Sequence, residues 1–136
     1  MRLKKYDIRL TPNFSLSEFI VSETADKKKF KEQFYVDFII TENLQNLCVN
    51  VLQPLRNVCG KVIILSGYRC QRLNNAVKGS DHSQHLIGCA ADFRVPDLKR
   101  AVDYISAIEF DQMIIYQNFI HVSYTPKRLR KQIIYK

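Results

Sequence analysis

Ser83-Gln84-His85-Leu86-Ile87-Gly88-Cys89-Ala90-Ala91-Asp92-Phe93 turns a polar loop into a strand, and it carries most of the chemistry of the chain. Residues 90–95 predict a strand that Pro96 and Asp97 end. Side chains alternate faces along a strand, so Ala90 and Asp92 share one face while Ala91 and Phe93 share the other. Gly88 permits the turn that brings His85 back over the strand end. Downstream, Phe119-Ile120-His121-Val122-Ser123-Tyr124 predicts a second strand, with Phe119, His121 and Ser123 on one face. The chain has three histidines, and His85 and His121 are two of them. Two imidazoles and one carboxylate are the ligand set of a catalytic zinc site, which leaves the fourth position to water. A lone histidine on an alternating strand is more often a core or surface residue, so His85, Asp92 and His121 gain that meaning only by converging. Small Ala90 beside Asp92 leaves room for an ion.

Outward from this stretch, residues 61–66 form a β-branched run that reads as a buried strand, and 112–116 and 132–135 are further strand candidates. Ser15-Leu16-Ser17-Glu18 is a capping-box pattern that starts a short helix carrying Phe19 and Ile20 inward. Thr41 can cap the next helix, whose Leu44, Leu47, Cys48, Val51, Leu52 and Leu55 have the three/four spacing of one buried face. Pro54 kinks or tightens its last turn, and Gly60 stops it. Residues 98–108 predict a helix with Leu98, Val102, Ile105 and Ile108 inward. The lysine-rich stretch 25–34 reads as an exposed loop or arm, and 67–84 as a polar loop punctuated by Gly67 and Gly79. Helices come first and a mostly antiparallel sheet follows, which is an α+β arrangement. No repeat, linker or low-complexity segment divides the chain, so residues 1–136 read as a single domain.

With 136 residues, 46% of them hydrophobic, the chain can build one core. No apolar run reaches the length of about 18 residues that a membrane span needs. The basic start, Met1 to Leu10, lacks the apolar segment of a signal peptide. The expected setting is therefore the host cytoplasm until lysis, or a virion. Cys48, Cys59, Cys70 and Cys89 lie far apart with no C-x-x-C, which argues against a zinc knuckle and a dense disulfide framework. Buried free thiols are the plain reading, with a single disulfide left open. A formal net charge of +8 favours an anionic partner, either nucleic acid, a membrane surface or an anionic cell-wall polymer, without choosing among them. Lysines 27–29 and 31 and the run 127–131 equally read as solvated faces, and no nucleic-acid motif accompanies them.

Ser66-Gly67-Tyr68-Arg69, Leu73-Asn74, Val77, Gly79-Ser80, Ser83-Gln84-His85, Gly88, Ala90, Asp92, Phe110-Asp111-Gln112 and Ile120-His121-Val122-Ser123 together resemble the zinc D-alanyl-D-alanine carboxypeptidase family. That family groups with lysostaphin-like and hedgehog-like zinc peptidases and includes phage endolysins. The resemblance spans roughly residues 14–135. It implies helices packed on a mostly antiparallel sheet that carries Zn2+ on His85, Asp92 and His121. It further implies Arg69 facing the scissile carbonyl, where a fixed cation stabilises an oxyanion, and Ser83 supplying a hydroxyl near the substrate.

The activity implied is hydrolysis of peptidoglycan stem peptides or their cross-links, with other phage or virion proteins as possible companions. Better-known members place a carboxylate three residues before the final histidine, and Asn118 stands there. An amide is no general base at neutral pH, which leaves Asp111, Tyr116 and, behind them, His82 as replacements. Asp111 in Phe-Asp-Gln reads equally as structural. Tyr116, with an ordinary pKa near ~10, is a poor base but a possible proton donor. The alternative is a catalytically inactive, zinc-stabilised module that binds cell wall or belongs to a virion.

Overall fold

The computed structural model describes residues 7–136; the basic stretch 1–6, read above as lacking a signal-peptide core, lies outside the described residues. A small antiparallel hairpin opens the fold, with β1 (Arg9–Thr11) paired to β2 (Phe14–Ser15). Helix α1 (Leu16–Ile20) follows at once, and the Glu18 carboxylate reaches back to accept the Ser15 N–H at 2.8 Å, as the capping pattern predicts. Phe19 and Ile20 are buried by it.

The lysine-rich stretch is not a loose arm. It forms α2 (Glu23–Lys28) and a 3-10 turn (Lys31–Phe34), with Ser22 capping α2 by accepting the Ala25 N–H at 3.1 Å. Lysines are good helix formers, and a six-residue helix buries too few residues to leave a periodic trace. Ala25 and Gln33 are its buried side chains, and Ala25 joins Cys70 and Leu73 in a small apolar cluster.

The main helix runs as α3 (Phe38–Leu47), a π turn (Cys48–Leu52) and α4 (Gln53–Cys59). Asp37, not Thr41, is its cap: the Asp37 carboxylate accepts the Ile40 N–H at 2.9 Å, while the Thr41 hydroxyl donates to the Asp37 carbonyl. Both residue types suit the position, and Phe38 and Ile39 are exposed, so no apolar pattern marked the first turn. Pro54 has no N–H, and its ring would press on the carbonyl four residues back. The chain meets this by widening, with the Gln53 N–H reaching Cys48. Leu44, Leu47, Cys48, Val51, Leu52 and Leu55 are all fully buried on one face. Each such Leu or Val contributes roughly 1.5–3 kcal/mol, counted as an upper bound.

Five strands, β3 (Ile63–Ser66), β4 (Ala90–Arg94), β5 (Gln112–Ile115), β6 (Ile120–Ser123) and β7 (Gln132–Tyr135), make one sheet in the order β3-β4-β6-β5-β7. All pairings are antiparallel except that of β5 with β7. The expectation of a buried strand at residues 61–66 is corrected: β3 is an edge strand, with Ile63 and Leu65 exposed. A β-branched run suits either place. Between β3 and β4 the expected loop contains α5 (Gln71–Ala76), again too short to show a period. Helix α6 (Leu98–Ser106) is capped by Asp97 and buries Ala101, Val102 and Ile105. The fold is α+β, as expected.

The inner face of the sheet sets the core. Ala91, Phe93, Ile120 and Val122 are fully buried and pack with the α3–α4 face, Ile105 and Phe110 in one cluster. Because the faces alternate, the same two strands present Ala90, Asp92, His121 and Ser123 on the opposite side. The core therefore fixes the position of the polar face.

Candidate metal centre

Asp92 and His121 are directly opposite one another across β4 and β6. Their side chains meet, Asp92 Oδ1 to His121 Nδ1, at 2.8 Å. His85 comes from a 3-10 turn (Gln84–Ile87) whose cap is Ser83: the Ser83 hydroxyl accepts the His85 N–H at 3.2 Å. Gly88 ends that turn at φ +76°, and a Cβ there would lie 3.0 Å from the Ile40 carbonyl oxygen. Both the dihedral and the space require glycine.

The His85 ring is buried, and its Nδ1 lies 2.6 Å from the Gly67 carbonyl oxygen. A carbonyl only accepts, so Nδ1 donates to it, and Nε2 is the ring nitrogen left facing the site, 3.4 Å from Asp92 Oδ1. One ligand atom from each of His85, Asp92 and His121 lies within 4.8 Å of the others. The donor set fits a divalent transition metal: two imidazoles and one anion, one imidazole already oriented from behind by a backbone carbonyl. Burial tends to raise the Asp92 carboxyl, but hydrogen bonds from His121 and His85 outweigh it and hold it below the ordinary carboxylate range. The residue is thus poised as an anion, the form that ligates.

Arg69 adjoins this trio. Its guanidinium lies 3.6 Å from Asp92 Oδ2, and it donates to Ser66 Oγ and Asn74 Oδ1, each at 3.3 Å. Asn74 is fully buried and anchored in turn by donating to the Ser80 carbonyl at 2.9 Å. A Cβ on Gly79 would fall 2.1 Å from Asn74 Oδ1 and 3.0 Å from Arg69 Nη1. Burial lowers the Arg69 pKa, while Asp92 and the nearby Tyr116 work in the opposite direction. The sequence offers Ser66 and Asn74 only as part of the family resemblance; Ser66 at the end of β3 and Asn74 in α5 have a contact in the structure, the Arg69 guanidinium.

The remaining expected residues are dispersed around the trio. Asp111 is fully buried, and both of its oxygens are taken: Arg130 Nε donates to Oδ1 at 2.7 Å, Arg130 Nη2 to Oδ2 at 3.0 Å, and Gln84 Nε2 to Oδ2 at 3.0 Å. Burial works to raise its pKa, but Arg130 and Gln84 together hold it low. Tyr116 stacks on Phe119, with ring centroids 4.3 Å apart and planes 11° from parallel. Asn118 and His82 are exposed. All four cysteines are free thiols, Cys48, Cys70 and Cys89 buried and Cys59 half-buried. Among the described residues no helix is long and apolar enough to cross a membrane.

A family model described as Peptidase M15 matches residues 12–123, a span that begins in the β1–β2 hairpin and ends with β6. It takes in His85, Asp92, His121, Arg69 and Ser83. No curated protein matches the chain.

Proposed function

The chain belongs to the peptidase M15 family, and from that membership we propose that it is a zinc-dependent peptidase that hydrolyses amide bonds of peptidoglycan stem peptides or their cross-links. The observation that carries this reading is the convergence of His85, Asp92 and His121 donor atoms within 4.8 Å on one sheet face. These three side chains would hold the ion. Zinc, when bound, polarises an amide carbonyl and lowers the pKa of a coordinated water toward neutrality.

The chain's own residues supply the rest. Arg69, held by Ser66, Asn74 and Asp92, presents a fixed positive charge to the scissile carbonyl oxygen as negative charge develops there. The Ser83 hydroxyl accepts from His85 N–H and retains its own O–H to donate to a substrate carbonyl or carboxylate. Tyr116, which stacks on Phe119, is the side chain this reading assigns to pass a proton to the leaving amine. Asp111 is held as an anion by Arg130 and Gln84, which suits an anchor better than a base. The net charge of +8 favours approach to the anionic polymers of a bacterial wall. A phage lysin or virion-borne wall enzyme is the setting that accords with this target.

A second reading, a metal-stabilised wall-binding or virion module without hydrolysis, is favoured by exposed Asn118 and by the full occupancy of Asp111. One experiment separates the two. Purified peptidoglycan is incubated with the zinc-loaded protein, with and without chelator, and new amino termini are counted. Chelator-sensitive release supports the peptidase; sedimentation with the wall and no release supports the binding module.

A further inference from the structure

Gln33 lies in the 3-10 turn that follows α2, yet its side chain has no exposed surface. Its amide is saturated by backbone. Nε2 donates to the Ile20 carbonyl at 3.0 Å and to the Tyr68 carbonyl at 2.8 Å, and Oε1 accepts the Cys70 N–H at 2.8 Å. The last two belong to the peptide units immediately before and after Arg69. This stretch is tied elsewhere at two points: the Tyr68 N–H donates to the Phe19 carbonyl at 2.7 Å and the Arg69 N–H to the His85 carbonyl at 3.0 Å.

We propose that Gln33 is a positioning residue for Arg69. By clamping both flanking peptide groups it fixes the direction in which the Arg69 side chain leaves the backbone. That direction aims the guanidinium at Ser66, Asn74 and Asp92 rather than at solvent. An amide is the side chain this task requires, because it must donate twice and accept once. A carboxylate would lack the donors, and a thioether has no donor and only a weak acceptor. The lysine-rich segment thus acts on the site through one buried residue, although its lysines are exposed. Glu32, paired with Arg72 across the same contact, and Phe30 under the Arg72 guanidinium at 4.5 Å, hold the turn in place.

This inference rests on the reading of Arg69 as the group that faces the scissile carbonyl. Its test uses Gln33→Met, which keeps the volume, and Gln33→Glu, which keeps only the acceptor. Each is made in the parent and in Arg69→Ala, with Val102→Ala in α6 as a core control. In the parent, kcat on purified peptidoglycan fragments is expected to fall about 10- to 100-fold with KM little moved. Zinc affinity, measured against a chromophoric chelator, is expected to stay within about twofold of the parent, since no ligand is touched. In Arg69→Ala the same change is expected to cost less than about threefold, because the residue it positions is gone.

An equal loss in both backgrounds overturns the proposal, and so does zinc affinity falling in step with kcat. A readout free of activity is hydrogen exchange of the Cys70 N–H and the Arg69 Nε–H in the metal-free protein. Both are expected to lose protection in Gln33→Met and to keep it in Val102→Ala. Arg69 Nε–H protection unchanged in Gln33→Met overturns the proposal even if peptidoglycan is never cleaved, so failure of the peptidase reading and failure of this one are seen separately.

Discussion

Asp92 and His121 are Cα partners in the antiparallel ladder of β4 and β6, with Oδ1 and Nδ1 2.8 Å apart. This pair is preset by the sheet, since a one-residue slip of either strand would send that strand's member of the pair into the core. Only His85 must be brought in from elsewhere, and Gly67 and Gly88 bring it. A site so assembled should bind metal with little rearrangement.

The first prediction follows from that preorganisation. Zinc is expected to bind one per chain and to raise the unfolding temperature, because an ion held only by the folded state stabilises it. At a free concentration about 100 times Kd the gain is roughly 2.7 kcal/mol, on the order of 10 °C for a chain of this size. Calorimetry with and without chelator measures it. His85→Ala and His121→Ala are each expected to abolish the shift, and a shift that survives both would remove the trio as the site.

Arg69 is expected to matter to the chemistry and not to the metal. Arg69→Ala should lower kcat by about 10²–10³-fold, the range for loss of one oxyanion-stabilising group. Arg69→Lys should recover little, since an ammonium cannot reach Ser66 and Asn74 together in the fork geometry of a guanidinium. Steady-state kinetics on stem peptides beside a zinc titration would check the separation.

How far the sequence could be read depended on whether a residue's partners lay in a regular element. The strand faces of β4 and β6, the buried stripe of Leu44 to Leu55 and the Glu18 box were legible because period and spacing report burial directly. The resemblance pointed to His85, Asp92 and His121, and the structure brings them together, the sheet register supplying the Asp92–His121 contact. What escaped notice were short helices, α2 and α5, and the polar residues that work at long sequence separation. Gln33 on Tyr68 and Cys70, and Gln84 on Asp111, are examples. A hydrogen bond between two loops leaves no periodic trace, and β3 showed that a β-branched run does not distinguish an edge from a centre.

Gly79 provides a steric probe of that loop. A methyl group there would lie 2.1 Å from Asn74 Oδ1, and Asn74 is anchored at Ser80. Gly79→Ala is expected to push Asn74 aside and loosen Arg69, costing activity about 10-fold or more with zinc binding intact. The far end of Asn74 is a side chain, so stability should fall by only about 1 kcal/mol. Wild-type kinetics in Gly79→Ala would show that the Asn74 contact does not hold the guanidinium.

Asp111 makes the sharpest pH prediction. Its folded pKa is depressed, burial being outweighed by Arg130 and Gln84. A depressed carboxylate contributes stability that is fully present above its unfolded pKa near ~3.9 and is lost as pH falls through the lower folded value. Urea midpoints are therefore expected to be flat for this group above about pH 5 and to decline below about pH 4. Asp111→Asn should remove that part of the slope, and at pH 7 it should lower stability, because the buried Asp111 position loses the charge-assisted bonds from Arg130. The direction of the activity change separates anchor from base. If Asp111 anchors the C-terminal segment to the turn carrying His85, activity per folded molecule should stay within about 10-fold of the parent, with the pH profile unmoved. If it is the proton acceptor, the acidic limb of the kcat profile should vanish while the zinc-dependent rise in unfolding temperature persists.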